Sequence, residues 1–199
     1  MYDKSVHLKT KAGRPDMIKK RVQWKWVIVA TIIFMVFLIL VLPQMAEYSA
    51  KVIGDFGSPD TSLIYSGADL YDMAESYGES GRAAYIKLRW TLDFVWPFVY
   101  TLFFVLWTLK LLGYVPRTSW TKHLVIFPLV AMFLDFMENL GATIVMARYP
   151  LSSGLIASLT PLMTSAKWLA ISASSFIVAA LIIATIIKKV KKPNSNAIE

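Results

Sequence analysis

Four long apolar runs constrain this chain more than any other feature, because whatever it folds into must surround them with something other than water. A helix needs about 20 mostly apolar residues to cross a hydrocarbon layer of about 30 Å. Runs of that length occupy approximately 24–42, 90–112, 124–147 and 162–187. Only 17% of the residues are charged, against roughly a quarter in soluble domains. The pattern predicts an all-α polytopic membrane protein, a four-transmembrane-helix bundle. A short extracytoplasmic helical loop is expected between helices 1 and 2. The expected organisation is a basic cytoplasmic leader at 1–23, a membrane domain at 24–190 with an outer loop at 43–89, and a cytoplasmic tail at 191–199. The first run reads as a retained span rather than a cleaved signal. Its leader is long, its apolar run exceeds a typical signal core, and Pro43-Gln44-Met45-Ala46 lacks the small residue that a cut after Ala46 would need.

Basic residues set the expected orientation. They collect in the leader (Lys4, Lys9, Lys11, Arg14, Lys19, Lys20, Arg21, Lys25), around the link between spans two and three (Lys110, Arg117, Lys122) and in the tail (Lys188, Lys189, Lys191, Lys192). The outer loop is acidic, with Glu47, Asp55, Asp60, Asp69, Asp72, Glu75 and Glu79. Both termini are therefore expected in the cytoplasm. Trp24, Trp26, Trp90, Trp120 and Trp168 fall near the predicted interfaces, the depth that amphipathic rings favour. The net charge of +8 is thus a topology signal. No nucleic-acid partner is expected, because the basic residues flank spans; membrane lipids are. Within the loop, Ser66 with Asp69 approximates a capping box for a short helix to about Tyr77, which Gly78 should end. A protein partner on the outer loop 43–89 is one reading of that helix, and a solvated acidic helix is the other.

The third run holds the most informative residues. Asp135, Glu138 and Asn139 share one helical face by their spacing, and Pro128, Ala131, Ala142 and Met146 extend it. Charges at bilayer depth cost at least about 2.5 kcal/mol on insertion scales, so they face protein, water or a cation. Lys167 near the start of span four, and Asp93 with Arg89 one turn before it, are the available partners. Tyr100 lies two turns beyond Asp93. The sequence therefore predicts one buried polar network of Arg89, Asp93, Tyr100, Asp135, Glu138, Asn139 and Lys167. It is either a functional site or an ion-pair network that fixes helix register. In span four, Ala166, Ala170 and Ser174 read as a close-packing stripe inside the bundle.

Catalytic signatures are missing. The chain has no cysteine, no phosphate-binding glycine loop and no paired-histidine zinc motif. No cofactor and no metal are expected, and no catalytic residue is assigned. His123 is too far along its helix from Glu138 to share a ligand, at ~22 Å.

Two stretches carry a resemblance: Gly81-Arg82-Ala83-Ala84-Tyr85 followed by Leu92-Asp93-Phe94-Val95-Trp96-Pro97, and Asp135-Phe136-Met137-Glu138-Asn139-Leu140. Together they resemble uncharacterised small prokaryotic four-span integral membrane proteins. That resemblance implies that Asp93, Asp135, Glu138 and Asn139 form a linked set, and it implies no activity. A looser resemblance is to the sterol-isomerase and sigma-2-receptor bundles. The histidine expected of the isomerase pocket is absent, which argues against sterol isomerisation.

Three functions compete. The favoured one is a protein- or lipid-interacting membrane bundle with a buried acidic network. A small transporter or ion-coupled protein using Asp135 and Glu138 is the alternative. A membrane enzyme on a lipid-like substrate, with Glu138 or Asp93 as general acid or base, is the third. Oligomeric state is not readable from the residues.

Overall fold

A computed structural model describes residues 22–54, 57–59, 62–116 and 118–191 of the chain. The expected leader through Arg21 and the tail from Lys192, together with Asp55, Asp60 and Arg117, lie outside the described residues. Among the described residues there are helices and no strand. Helix α1 (Trp24–Val36) runs through a π-helical stretch (Phe37–Val41) into α2 (Leu42–Ile53). Then follow α3 (Gly67–Ser76), α4 (Gly78–Arg89), α5 (Leu92–Leu111), a 3-10 segment (Thr121–Val125), α6 (Ile126–Arg148) and α7 (Gly154–Val190). Four helical segments are long and apolar enough to cross a membrane: Trp24–Ile53, Gly78–Leu111, His123–Arg148 and Gly154–Val190.

These helices run past the apolar limits that hydropathy marks, and prolines explain two of the extensions. Pro43 suggests a break after the first run, because a proline ring clashes with the carbonyl four residues earlier. That carbonyl belongs to Ile39, inside the π-helical stretch. The wider turn accommodates the ring, and the helix continues to Ile53. Pro161 lies seven residues into α7 and has no N–H to offer the carbonyl of Ala157. Gly67, at the start of α3, approaches that same carbonyl so closely that a Cβ there would stand 2.9 Å from the oxygen. Proline on one helix and glycine on the other thus let α3 seat directly on α7.

The best-packed seam joins α6 to α7. Gly141 makes it possible: a Cβ at that position would overlap the Thr160 hydroxyl oxygen. The buried face of α6 includes Pro128, Ala131, Asp135, Glu138, Asn139, Ala142 and Met146. Opposite it, α7 buries Thr160, Thr164, Lys167, Ala170 and Ser174. Pro128 falls in the first turn of α6, where a missing N–H leaves no helical bond unmade, and its carbonyl accepts from Thr101 Oγ1 at 3.1 Å.

Helix α1 is attached differently. It buries only Val27 and Ala30. Phe34 stacks on Phe103 with ring centroids 4.2 Å apart, and on Trp96 at 5.5 Å. Trp107 Nε1 donates to Thr31 Oγ1 at 2.9 Å, and Lys110 Nζ donates to the Val22 carbonyl at 2.9 Å. The α1–α2 helix packs on α5 and α4 and leaves α7 largely untouched.

The short helices close the end of the bundle away from Lys188. Ser66 caps α3 in a full capping box: Asp69 N–H donates to Ser66 Oγ at 3.2 Å, and Ser66 N–H donates to Asp69 Oδ2 at 2.7 Å. The Ser66 N–H and, second, the Ser66 hydroxyl both donate to Asp69 Oδ2, and these two bonds hold the Asp69 carboxyl below its usual range. Gly78, at φ +63°, turns the chain so that α4 begins immediately after α3. Tyr65 meets Thr164 Oγ1 at 2.9 Å, and Tyr77 donates to the Gly57 carbonyl at 2.6 Å. Burial pushes both phenols up to about 12.

Candidate functional site

The seven residues of the sequence-derived network fall into two contact groups, Arg89 with Asp93 and Asn139, and Lys167 with Glu138, Asp135 and, through Asp135, Tyr100. Arg89, in the last turn of α4, makes an ion pair with Asp93 across the break before α5. Its guanidinium also donates to Ser58 Oγ at 3.1 Å and reaches Asn139 Oδ1 at 3.4 Å. Asn139 neighbours Glu138 on α6. Lys167 Nζ stands 2.5 Å from Glu138 Oε2 and 3.6 Å from Asp135 Oδ1. Tyr100 OH donates to Asp135 Oδ2 at 3.1 Å. Glu138 and Asn139 are each 1% exposed, and Arg89, Asp135 and Lys167 are each 4% exposed.

The two carboxylates of α6 are not equivalent. Glu138 holds the ammonium of Lys167 at ion-pair contact; neither of its oxygens has a donor in hydrogen-bonding alignment. Asp135 receives the Tyr100 hydroxyl and only a long contact with the same ammonium. A single lysine thus serves two acids, and the nearer one takes most of its charge.

A cavity of about 430 Å³ opens onto this cluster, within the size range of small-molecule sites. Arg89, Asp93, Asp135 and Lys167 supply its charged lining. Its apolar walls include Met45 and Ile53 from α2, Trp96 from α5, and Trp168 and Ile171 from α7. The cavity therefore occupies the cleft that the α1–α2 helix leaves by packing on α4 and α5 rather than on α7. Glu138 is not part of its surface.

Several lining residues escaped the sequence reading. Ser58, a partner of Arg89, and Ser49, on α2, carry no local signal. Tyr85 stands one helical turn before Arg89, a spacing that places both on one face. It is 2% exposed and lines the cavity, and its hydroxyl has no hydrogen-bond partner. The Arg89 guanidinium lies over its ring, 4.6 Å from the centroid, a cation–π contact. Among the described residues, no group of three His, Asp or Glu side chains is placed to hold a metal ion.

Comparison with protein-family profiles, with curated protein sequences and with solved structures gives no match.

Proposed function

We propose that the protein is a lipid-interacting membrane bundle that holds the polar head of an amphipathic molecule in this cavity. One observation carries the reading: a cavity of about 430 Å³ combines four charged side chains with mainly apolar and aromatic ones in its lining. That distribution matches a molecule with a polar head and a greasy body. From Lys188 to Lys167 the α7 helix rises ~31 Å, the thickness of a hydrocarbon layer. From Lys110 to Asp93, α5 rises ~25 Å. If the lysines at 110 and 188 mark the cytoplasmic interface, the charge cluster sits at the opposite edge of the hydrocarbon. Lipid head groups lie at that depth, and Trp90 and Trp168 fall beside it. The cleft beside the α1–α2 helix would then let the chains remain in the bilayer while the head enters.

Native mass spectrometry of the protein released from membranes tests this reading. The wild-type chain should carry bound amphiphile. Ser49→Trp, which fills the cavity from α2, should lose it. Phe176→Trp, on an exposed part of α7, should keep it. Equal retention by all three proteins would defeat the reading.

A further inference from the structure

Helix α7 is longer than a hydrocarbon layer is thick, and its excess is apolar. About 20 helical residues cross such a layer. Counted from Lys25, Lys110, His123 and Lys188, that distance ends at Met45, Trp90, Thr143 and Trp168. These ends meet in pairs: Trp90 Nε1 donates to Thr143 Oγ1 at 2.9 Å, and Met45 and Trp168 line one cavity. On that placement, residues 154–167 of α7, ~20 Å of helix, stand outside the hydrocarbon. Leu155 is nevertheless 75% exposed there, and Leu162 62%. Leu63 and Ile64 enlarge the patch. The Leu63 carbonyl accepts from Ser165 Oγ at 3.1 Å, one turn beyond Leu162, and Ile64 is 91% exposed. Apolar surface held in water favours a partner that covers it.

We propose that this partner is a second copy of the chain, paired in parallel along α7. The exposed leucines begin a ridge that continues down the helix. Leu155, Leu162, Leu169, Phe176, Ile183 and Val190 recur every seven residues, each between 58% and 79% exposed. A seven-residue repeat is the period at which two helices stay in register in a left-handed supercoil. Ala166, Ala173 and Ala180 recur beside the ridge at the same interval, which lets two backbones approach. The residues that α7 buries in its own bundle, Thr160, Thr164, Lys167 and Ser174 among them, lie on the opposite face. Between Gly154 and Ile187 the one charged residue is Lys167, which turns inward to Glu138, so nothing charged opposes the approach.

The ridge also decides between occupants. Acyl chains cover Leu169 to Ile183 and do not reach Leu155. A partner confined to the aqueous side covers Leu155 and does not reach Phe176. An apolar rod of the same length and orientation covers both zones, and α7 of a second copy in the same membrane is such a rod. A contact strip ~10 Å wide along its ~55 Å covers ~550 Å² on each chain, and ~1,100 Å² in total passes the ~1,000 Å² that a specific interface needs. The cavity opens on the other side of α7, at Lys167 and Ile171, so pairing leaves it accessible.

The test uses the full chain in its own membrane. With no natural cysteine, single thiols report one position each. Leu155→Cys, Leu162→Cys and Leu169→Cys are oxidised beside Ile32→Cys on α1 and Phe133→Cys on α6, which are comparably exposed. The three α7 thiols should link two chains, because matching ridge positions of a parallel pair fall within disulfide reach, and the other two should leave monomer. Leu155→Gln combined with Leu162→Gln changes two exposed positions above the hydrocarbon, so folding and insertion should survive. It should raise the dissociation constant of the dimer about a hundredfold in sedimentation equilibrium and leave retention of amphiphile in the cavity unchanged. A wild-type chain that stays monomeric overturns the proposal, as do links at Ile32→Cys and Phe133→Cys that match those on α7. An unlinked Leu155→Cys overturns it too. If a membrane-impermeant maleimide then fails to reach that thiol, lipid covers the patch; if the reagent reacts freely, the patch stands bare in water.

Discussion

The α6–α7 seam and the α1–α5 seam solve the same problem with opposite materials. Along α6 and α7, small residues bring two backbones together, and the space saved is given to charged and hydroxylated side chains. Gly141 lies against Thr160, and Glu138 faces Lys167. Along α1 and α5, large rings stack: Phe34 on Phe103 and Trp96. Only Val27 and Ala30 of α1 become buried. Apolar tails solvate Leu and Phe as well as a protein interior does, so burial alone drives no association in a bilayer, and packing with hydrogen bonds must hold helices together. The first seam has close backbone packing and the ion pairs of Lys167 with Glu138 and Asp135. The second has stacked rings and two tethering hydrogen bonds. The difference teaches why the cleft opens where it does: α6 and α7 are committed to each other, and the α1–α2 helix is free to lean away from α7.

The largest effect should come from the charged part of the first seam. Lys167→Met leaves Asp135 and Glu138 facing each other without a cation. Breaking a buried ion pair from one side costs ~3–5 kcal/mol. Folded protein recovered after size-exclusion chromatography should fall steeply, and replacing both Lys167 and Glu138 by apolar residues should restore much of it. Next comes Gly141→Val, whose side chain has no room against Thr160. Overpacking of this kind costs ~1–3 kcal/mol, read as a lower midpoint of thermal unfolding. On the second seam, Trp107→Phe removes the bond to Thr31 and should cost ~0.5–1.5 kcal/mol. Hydrogen exchange should quicken over Trp24–Val36 and stay unchanged in α6 and α7. If Trp107→Phe destabilised the whole bundle as much as Lys167→Met, the contrast between the seams would collapse.

The smallest effect concerns α3 alone. Its capping carboxylate, Asp69, is held below the usual range by Ser66, so the folded state favours the ionised form. Its contribution is complete above the ordinary aspartate value and is lost as pH falls through the lowered one. Protection of the Gly67–Ser76 amides, taken relative to intrinsic exchange at each pH, should therefore fall in acid, and Asp69→Asn should remove that dependence.

Much of this arrangement was readable from residue spacing, and the reasons mark where reading stops. The face holding Asp135, Glu138 and Asn139 follows from helical periodicity, and their joint burial from the cost of charge in hydrocarbon. The partners Lys167, Arg89 and Asp93 followed because few other charges lie in or beside the spans. The capping box of α3 is a local pattern and needs no tertiary knowledge. What could not be read is how unlike the two acids are, because that depends on where one lysine ammonium comes to rest. The cavity was equally hidden. It exists because the first helix continues past Pro43 to Ile53, and a π-helical turn that absorbs a proline has no signature in composition. Ser49 and Tyr85 enter the site only through that continuation and through the seating of α4.

The central claim is that the Asp135–Lys167 cluster borders a lipid-filled cleft instead of a sealed core. A chain with no natural cysteine permits a direct measurement through a single thiol at Ser49→Cys. The rate of modification by a bulky maleimide is compared before and after phospholipid is added to the delipidated protein. The account predicts ready modification of the empty cleft and strong protection once lipid is bound. A thiol that stays unreactive in both states, or reacts at the same rate in both, would contradict it.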